Sequence, residues 1–210
     1  MIEILIADDH AIVREGVKQI IADTDDMVVA GEAGNGEEVL RKAMKGHFDV
    51  VILDITMPGR GGLDVLKQLK IMRPELPVLV LSVHPEEQYA VRVFKAGASG
   101  YLTKESAPEE LISAVRKISR NKKYVSPTLA EKLAFDLRPD TERPLHDALS
   151  DREYQVLCMI ASGKTVKDIA GQLSLSVKTI STYRSRILEK MKMKNNAELT
   201  HYAIKHGLVD

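Results

Sequence analysis

The first 120 residues of the chain alternate between short apolar runs and segments whose apolar residues recur every three or four positions. The four aliphatic residues at 50–53 show no polar alternation, which is typical of a strand buried on both faces. The other segments have the periodicity of amphipathic helices. Five such repeats predict a three-layer α/β domain with a five-stranded parallel sheet. The predicted strands are residues 2–7, 27–33, 49–54, 77–81 and 100–102.

Helices are predicted between consecutive strands and after the fifth strand. Three of them span residues 37–45, 63–72 and 86–96, and Gly97 stands where a left-handed residue would end the last of these. The helix after the fifth strand is predicted to start at a capping box, Ser106–Glu109, with proline at an early position that helices tolerate. The predicted apolar stripe of the first helix consists of Ile12, Val13, Gly16, Val17, Ile20 and Ile21.

Residues 147–210 show four short helical patterns and no convincing strand, which predicts a smaller all-α four-helix domain. A capping box at Ser150–Glu153 begins the first helix, and the second spans about 165–173. The third, 177–191, follows a short turn, as in a helix-turn-helix with a recognition helix. An ordinary helical bundle with solvated charges fits equally well. The predicted buried face of the third helix is Val177, Ile180, Ile187, Leu188 and Met191, and its outer face is Lys178, Ser181, Thr182, Ser185 and Arg186.

A charged segment interrupted by two prolines, residues 137–144, predicts a linker between the two domains. Leu129, Leu133 and Leu137 recur every four residues just before it and predict a short spacer helix. The predicted organisation is an N-terminal domain, a linker with a short helix and a C-terminal domain, at residues 1–122, 123–146 and 147–210.

Charge is distributed unevenly, although the whole chain carries 30 basic and 30 acidic residues. Residues 1–122 hold 16 Lys and Arg against 19 Asp and Glu, a net charge of −3, whereas residues 147–210 hold 10 against 7, a net charge of +3. The excess is largest between Lys164 and Lys194, where 8 basic residues face only 2 acidic ones. This asymmetry predicts that the C-terminal domain binds nucleic acid.

The single cysteine, Cys158, lies in an apolar helical pattern, so no disulfide can form within the chain and a buried reduced thiol is predicted. The opening apolar run stops at Asp8 and Asp9 and is too short for a signal peptide or a membrane span. From the sequence we therefore expect a soluble cytoplasmic protein without membrane contact.

Polar residues follow four of the five predicted strands. Asp8 and Asp9 end the first strand, Asp54 the third and Ser82 the fourth, and Lys104 follows the fifth. Taken singly, each residue fits a plain structural role, such as a turn or helix cap for Asp54. However, the carboxyl ends of parallel strands meet at one rim of a sheet, and ligands of open α/β sheets bind there. Five such coincidences favour a shared site.

Three carboxylates and one ammonium group would give this rim a net charge of −2. Two like charges about 4 Å apart repel by roughly 4 kcal/mol at an effective dielectric constant near 20, so a divalent cation is the natural partner. Mg2+ prefers oxygen ligands and keeps water molecules that a phosphoryl group can displace. The sequence thus predicts Asp54 as a nucleophile that forms an acyl phosphate, with Mg2+ and Lys104 stabilising the transferring phosphoryl oxygens.

These motifs resemble the receiver domain of two-component response regulators over about 120 residues. The resemblance is carried by Asp8-Asp9-His10, Asp54 with Met57-Pro58-Gly59, Ser82 and Tyr101-Leu102-Thr103-Lys104. It implies a flavodoxin-like (βα)5 fold in which a partner histidine kinase phosphorylates Asp54. It also implies that Mg2+ is bound by Asp8, Asp9, Asp54 and the backbone carbonyl of Thr56.

The resemblance further implies a conformational switch, in which the Ser82 hydroxyl turns toward the phosphoryl oxygens and Tyr101 rotates inward. Such a receiver performs its own phosphotransfer, but its product is a conformational state, so we expect a regulator and not an enzyme. Glu105 departs from the family, because many receivers have proline there. Thr56 and His84 flank the site in positions that could steer or block the hydrolytic water.

Residues 147–210 resemble the LuxR-type DNA-binding domain of NarL/FixJ-class response regulators. The resemblance is carried by Leu149-Ser150-Asp151-Arg152-Glu153, Ile169-Ala170, Leu173, Leu175-Ser176 and Lys178-Thr179-Ile180. It implies that the third helix reads the major groove and that the last helix, about 196–206, pairs two domains on DNA. Many relatives differ at 181–183, so base preference cannot be transferred. The candidate DNA contacts are Lys164, Thr165, Lys178, Thr179, Ser181, Thr182, Tyr183, Ser185, Arg186 and Lys190.

Basic residues of the third helix are expected to bind DNA phosphates more than bases, namely Lys178, Arg184, Arg186 and Lys190. The two resemblances together imply a phosphorylation-controlled transcription factor. Its expected partners are a histidine kinase, double-stranded promoter DNA and a second copy of the chain, with RNA polymerase as a further candidate. The unphosphorylated receiver would mask or misorient the helix-turn-helix, and phosphorylation would favour dimers.

Two alternative functions remain open from the sequence. One is a Mg2+-dependent phosphatase of the haloacid-dehalogenase type, which also uses an aspartate nucleophile at a strand end. That family requires a second acid two residues after the nucleophile, where this chain has Thr56. The other is a constitutive DNA-binding protein, which fits poorly with an intact acidic site.

Overall fold

The structure is a computed structural model that describes residues 1–59, 61–127, 129–131 and 144–209. It contains two compact units, Met1–Leu133 and Ala134–Asp210. Of the predicted spacer helix, Leu129 is described and buried, whereas Leu133, Leu137 and the linker segment before residue 144 lie outside the described residues. The predicted domain limits therefore stay predictions.

The N-terminal unit contains a five-stranded parallel sheet, as predicted. Its strands are β1 (Ile2–Ala7), β2 (Met27–Ala33), β3 (Val50–Leu53), β4 (Val78–Ser82) and β5 (Gly100–Thr103). They lie in the order β2-β1-β3-β4-β5, and every residue of β3 and β4 is buried. The direction of the strand order reverses between β1 and β3, which places a crevice at the carboxyl ends of these two strands.

Helices connect the strands and follow the last one: α1 (Ala11–Ala22), α2 (Gly36–Lys45), α3 (Gly62–Met72), α4 (Glu86–Lys95) and α5 (Pro108–Ile118). Alternate residues of the central strands, such as Ile52, pack against α1 and α5. The intervening residues, such as Val51, are equally buried. This burial of both sets explains why β3 carries an uninterrupted apolar run. Gly97 has the predicted left-handed conformation after α4, with φ of 101°.

Two details of the helices predicted in the N-terminal unit are wrong. Ile12, which was placed in the buried stripe of α1, is 81% exposed. It precedes the buried Ile21 by nine positions, and at about 100° per residue this puts it on the opposite side of the helix. The capping box at Ser106 does not form, because Ala107 takes the N-cap position of α5 and no side chain caps the helix. Ser106 Oγ instead lies 3.2 Å from Thr103 Oγ1.

The described part of the C-terminal unit contains helices and no strand, as predicted. A short 3-10 helix, Leu145–Ala148, precedes α6 (Asp151–Ala161), α7 (Val166–Leu173), α8 (Val177–Lys190) and α9 (Asn196–Lys205). The capping box predicted between Ser150 and Glu153 forms at the start of α6. After α7 the chain turns at Ser174, whose φ is 53°, and Ser176 caps α8. Helices α7 and α8 therefore form the predicted helix-turn-helix.

The buried side of α8 consists of Ile180 and Ile187, and Met191 just after the helix is also buried. Leu188 is partly buried. Val177 was predicted on this side but is 50% exposed, because it is the first residue of the helix. Cys158 is buried and not part of a disulfide, as predicted. None of the helices in the described ranges is long and apolar enough to span a bilayer.

Candidate functional site

Asp8, Asp54 and Lys104 lie together at the carboxyl rim of the sheet. Each directly follows a strand, and its backbone N–H donates to a carbonyl oxygen of the neighbouring strand, at 3.1, 2.8 and 2.7 Å respectively. The two aspartates are 2% and 1% exposed. The hydrogen-bond ladder of the sheet thus continues one residue past the strands and fixes where these three side chains start.

Lys104 bridges the two buried carboxylates. Its Nζ lies 2.6 Å from Asp8 Oδ2 and 2.8 Å from Asp54 Oδ2. Burial by itself would lower the pKa of Lys104, but the charges of Asp54 and Asp8 and the hydrogen bonds to them raise it above its ordinary value. Lys104 is therefore charged at neutral pH and neutralises part of the negative charge of the rim.

Thr56 contacts the carboxylate of Asp54 through two groups. Its backbone N–H donates to Asp54 Oδ1 at 2.8 Å, and its Oγ1 lies 2.7 and 2.8 Å from the two carboxylate oxygens. The start of α3 packs tightly behind this loop, because a Cβ on Gly62 would lie 2.3 Å from the carbonyl oxygen of Asp54. A side chain at Gly62 would displace the Asp54 backbone. The predicted role of the Thr56 carbonyl in metal binding stays a prediction.

The acidic residues of the rim fit a divalent cation. Oxygen atoms of Asp8, Asp9 and Asp54 and a ring nitrogen of His10 lie within 4.8 Å of one another. Asp9 Oδ1 is buried and accepts no hydrogen bond from the described residues, although His10 Nδ1 is 3.1 Å away. A buried carboxylate oxygen without a donor is costly unless a cation or water completes it. The donor set, rich in carboxylate oxygen, suits Mg2+.

The two predicted switch residues are connected through His84. Ser82 is fully buried, and its Oγ accepts the backbone N–H of His84 at 3.1 Å. The Tyr101 hydroxyl donates to the carbonyl oxygen of His84 at 2.8 Å, and this tyrosine is 3% exposed. The His84 ring stacks on Tyr89 of α4, with ring centroids 4.7 Å apart. Tyr101 therefore already points inward in this structure, and its outward state stays a prediction.

The outer face of α8 is polar and exposed, as predicted. Lys178 and Arg186 form no side-chain hydrogen bond or ion pair with the residues that the structure describes. The hydroxyls of this face bond within the helix itself: Thr182 Oγ1 donates to Lys178 O at 3.0 Å and Ser185 Oγ to Ser181 O at 3.1 Å. The face can thus offer two free cations to an anionic partner.

Other candidate DNA contacts already have partners within the unit. Lys164 Nζ donates to Gln172 Oε1 at 2.7 Å, and Arg184 Nε donates to Asn196 Oδ1 at 2.6 Å. Thr165 caps the start of α7. Thr179 Oγ1 lies 2.7 Å from Ser176 Oγ at the start of α8, and Tyr183 is partly buried.

Lys190 forms an ion pair with a buried carboxylate. Its Nζ lies 2.6 Å from Oε2 of Glu153, which is 3% exposed and also accepts the backbone N–H of Ser150 at 2.8 Å. Burial alone would raise the pKa of Glu153, but the hydrogen bonds from Lys190 and Ser150 lower it. Lys190 therefore joins the end of α8 to the start of α6.

Sequence reasoning missed two members of these sites. His10 was quoted only as part of a motif, although its place beside Asp9 could have indicated a ligand of the same rim. The partnership of Glu153 with Lys190 spans 37 positions, and no local pattern signals it. Only the capping role of Glu153 was visible in the sequence.

Two family models match the chain. One, described as the response regulator receiver domain, matches residues 4–116. The other, described as bacterial regulatory proteins of the luxR family, matches residues 147–203. Neither is a phosphatase family, so the haloacid-dehalogenase alternative has no support from these matches.

Relatives match the chain over its whole length. It is 41% identical to response regulator GacA of Pseudomonas protegens over 211 residues, which cover 100% of the chain and 99% of GacA. It is 37% identical to response regulator UvrY of Escherichia coli, over 99% of the chain and 96% of UvrY.

A solved structure of RcsB from Salmonella typhimurium has a TM-score of 0.71 at 27% identity and covers 98% of each chain. Another, of RcsB from Salmonella enterica serovar Typhimurium bound to promoter P1flhDC with the phosphomimetic BeF3−, has a TM-score of 0.66 at 28% identity. It covers 96% of this chain and 97% of that chain. The receiver match spans more than half of the chain and is followed by the luxR-family match. The chain therefore belongs to the two-component response regulators of the NarL/FixJ class, which join a receiver domain to a LuxR-type DNA-binding domain.

Proposed function

We propose that this protein is a promoter-binding transcription regulator that is switched by phosphorylation of Asp54. The observation that carries the proposal is the buried Asp54 carboxylate, which contacts Lys104 and Thr56 beside Asp8 at the sheet rim. A carboxylate held next to a fixed cation can accept an anionic group whose charge is otherwise repelled. We assign the receiver to residues 1–122, the linker to 123–146 and the DNA-binding domain to 147–210.

In the proposed reaction, a carboxylate oxygen of Asp54 forms a bond to the phosphorus of a phosphohistidine on a partner histidine kinase. The P–N bond breaks, its electron pair stays with the imidazole, and that ring then takes up a proton from water. Mg2+ bound by Asp8, Asp9, Asp54 and the Thr56 carbonyl would neutralise charge on the phosphoryl oxygens. Lys104 would keep its ammonium group against the same oxygens, because it already contacts Asp54 Oδ2.

The acyl phosphate adds a dianionic group where Asp54 carried a single charge. We propose that the Ser82 hydroxyl then leaves the His84 N–H and donates to a phosphoryl oxygen. The His84 backbone also binds the Tyr101 hydroxyl, and its ring stacks on Tyr89 of α4. A shift of this one residue would therefore reach both Tyr101 and α4.

The output of the switch is DNA binding by α8. We propose that Lys178 and Arg186 bind phosphates and that the outer face of the helix enters the major groove. Phosphorylation favours a dimer, which sets two recognition helices about one DNA turn apart. RcsB complexes with promoter DNA and RcsB dimers on DNA support this arrangement. A tenfold gain in DNA affinity requires only about 1.4 kcal/mol of coupling. The protein would act in the cytoplasm, with RNA polymerase as a further partner.

The test is binding to a pool of random duplex DNA at two salt concentrations, with and without Mg2+ and acetyl phosphate. We expect acetyl phosphate to tighten binding by the parent and to enrich paired half-sites. Asp54→Ala should lose this gain, whereas Asp64→Ala, which removes an exposed aspartate from the first turn of α3, should keep it.

An Asp54→Ala protein that keeps the full gain would exclude Asp54 as the switch. Binding that is indifferent to acetyl phosphate in the parent would contradict the coupling of the receiver to DNA. Repeated turnover of a phosphomonoester would instead favour a phosphatase over a regulator that is phosphorylated once.

A further inference from the structure

Arg14 contacts the loop that carries Asp8 and Asp9. It lies in the first turn of α1, and its Nη1 donates to the backbone carbonyl oxygen of Asp8 at 2.8 Å. The same guanidinium donates through Nε to Oε2 of Glu32 in β2 at 3.1 Å. The Arg14 side chain is only 20% exposed. One side chain therefore connects α1, β2 and the acidic loop.

Glu32 is a firm anchor for this contact. Its Oε1 accepts Lys18 Nζ at 2.9 Å, while Oε2 accepts Arg14. The hydrogen bond from Lys18 lowers the pKa of Glu32, and that from Arg14 adds to the effect, so Glu32 is ionised at neutral pH. Charge-assisted hydrogen bonds of this kind are stronger and more directional than neutral ones. The guanidinium is thus held in the orientation that reaches the Asp8 carbonyl.

We propose that Arg14 is a positioning residue. It fixes the Asp8–Asp9 loop in its Mg2+-binding geometry before the ion arrives. The inference rests on the proposed function of the rim. Without Arg14, the Asp8 carbonyl would have to find another donor and the loop would have to be ordered during binding. Partners that orient metal ligands in this way typically contribute about 10-fold to metal affinity.

A positioning role and a charge effect of Arg14 predict opposite changes in Mg2+ affinity when the side chain is removed. Arg14 carries a positive charge near a site for a cation, so Coulomb's law predicts that its removal tightens Mg2+ binding. Positioning predicts that its removal weakens Mg2+ binding. Lys18 is a matched control, because it carries the same charge and shares Glu32 with Arg14. Lys18 Nζ donates to Glu15 and Glu32, and neither residue belongs to the acidic loop.

The experiment is calorimetric titration of the full-length protein with MgCl2 at two salt concentrations and without a phosphoryl donor. We expect the dissociation constant to rise about 10-fold in Arg14→Met and to stay the same or fall in Lys18→Met. Arg14→Lys keeps the charge but loses the planar guanidinium that donates to Asp8 and Glu32 at once. We therefore expect an intermediate, about 3-fold rise in the dissociation constant. The rise in both Arg14 variants should persist at high salt, which screens charge effects.

Phosphorylation by acetyl phosphate gives a second readout. In Arg14→Met the Mg2+ concentration for half-maximal rate should rise about 10-fold, while the rate at saturating Mg2+ stays within about 2-fold of the parent. An unchanged or lower dissociation constant for Arg14→Met would overturn the inference. If Arg14→Met does not fold, an unchanged value for Arg14→Lys would overturn it.

Asp9→Asn separates failure of this inference from failure of the proposed function. The parent should bind Mg2+ and Asp9→Asn should lose that binding. If the parent binds no Mg2+, both the proposed metal site and the proposed role of Arg14 are contradicted. If the parent binds and Asp9→Asn does not, while Arg14→Met equals the parent, only the role of Arg14 falls.

Discussion

The two functional surfaces of this protein hold their charged side chains in opposite ways. At the sheet rim, Asp8 and Asp54 are buried and bond to Lys104 before any partner arrives. On α8, Lys178 and Arg186 are exposed and form no ion pair with the described residues. The rim is therefore preorganised for one small group, whereas under the proposed function Lys178 and Arg186 would find their anionic partners in DNA.

This difference determines how each surface responds to substitution. Removing one member of a buried charge cluster leaves the others unpaired, so the effect is large and not additive. An exposed cation that binds a phosphate contributes mainly through counterion release, in small and roughly equal steps. Lys190 stands between the two cases, because it lies on α8 but pairs with the buried Glu153.

Lys104→Met should give the largest effect. Under the proposed function Lys104 would supply a preorganised positive charge to the phosphoryl oxygens, and loss of such a group typically slows a reaction about 100- to 1,000-fold. Mg2+ binding should become tighter, because Asp8 and Asp54 lose their competing ammonium partner. The measurements are the rate of phosphorylation by acetyl phosphate, followed by 31P NMR, and calorimetric titration with MgCl2.

Lys45→Met is the control for Lys104, because it removes an exposed lysine at the end of α2. Both of its readouts should match the parent. If Lys104→Met bound Mg2+ more weakly than the parent, the rim would be a loosely held surface like α8. This result would contradict the difference between a preorganised rim and an exposed α8 face.

The fold was largely predictable because burial leaves a pattern in the sequence. The apolar run of β3 and the polar residues after four of the strands place Asp8, Asp54 and Lys104 at one rim, since parallel strands end on the same side. The contacts that support the rim left no such pattern. Arg14 binds a backbone carbonyl, and Gly62 is required only because a side chain there would collide with the Asp54 backbone.

Helical periodicity identified faces but failed at helix starts. Ile12 and Val177 are apolar residues at the start of a helix, and both are exposed. Ile12 lies on the side of α1 opposite the buried Ile21, and Val177 is the first residue of α8, where the periodic pattern does not show how far the neighbouring core extends. Likewise, the sequence listed the cations of α8 without showing that Lys190 is already paired with Glu153.

An intermediate effect is expected on the DNA-binding face. Lys178→Ala and Arg186→Ala should each weaken DNA binding about 5- to 10-fold at 100 mM salt and reduce the slope of log affinity against log salt by about 1. Lys190→Ala should change this slope less and should instead destabilise the domain by about 1 kcal/mol, because Glu153 loses its cation but keeps the hydrogen bond from Ser150, and the Lys190 side chain itself is 41% exposed. Fluorescence anisotropy with labelled duplex DNA measures the slopes, and hydrogen exchange of α6 and α8 measures the stability.

Glu153→Gln is the matched control for Lys190. It leaves every basic residue in place and leaves no buried charge unpaired, because only the partly exposed Lys190 loses its partner, so it should keep most of the hydrogen-exchange protection that Lys190→Ala loses. Its salt slope should equal that of the parent or rise, since Lys190 is released toward solvent. A slope reduced by about 1 in Lys190→Ala, with unchanged protection, would place Lys190 among the DNA contacts instead.

Replacement of Thr56 should give the smallest effect, because it changes no charge at the rim. The Thr56 hydroxyl lies against both oxygens of Asp54, so under the proposed function it would flank the path of the water that hydrolyses the acyl phosphate. If the side chain blocks this path, Thr56→Ala should shorten the acyl-phosphate lifetime about 3-fold, whereas Thr56→Val, which keeps the volume, should match the parent. If the hydroxyl steers the water, both variants should lengthen the lifetime. The measurement is loss of phosphoryl groups from purified phosphoprotein after the donor is removed. Lifetimes equal to the parent in both variants would show that the electrostatics of Asp8, Asp54 and Lys104 alone set the chemistry of the rim.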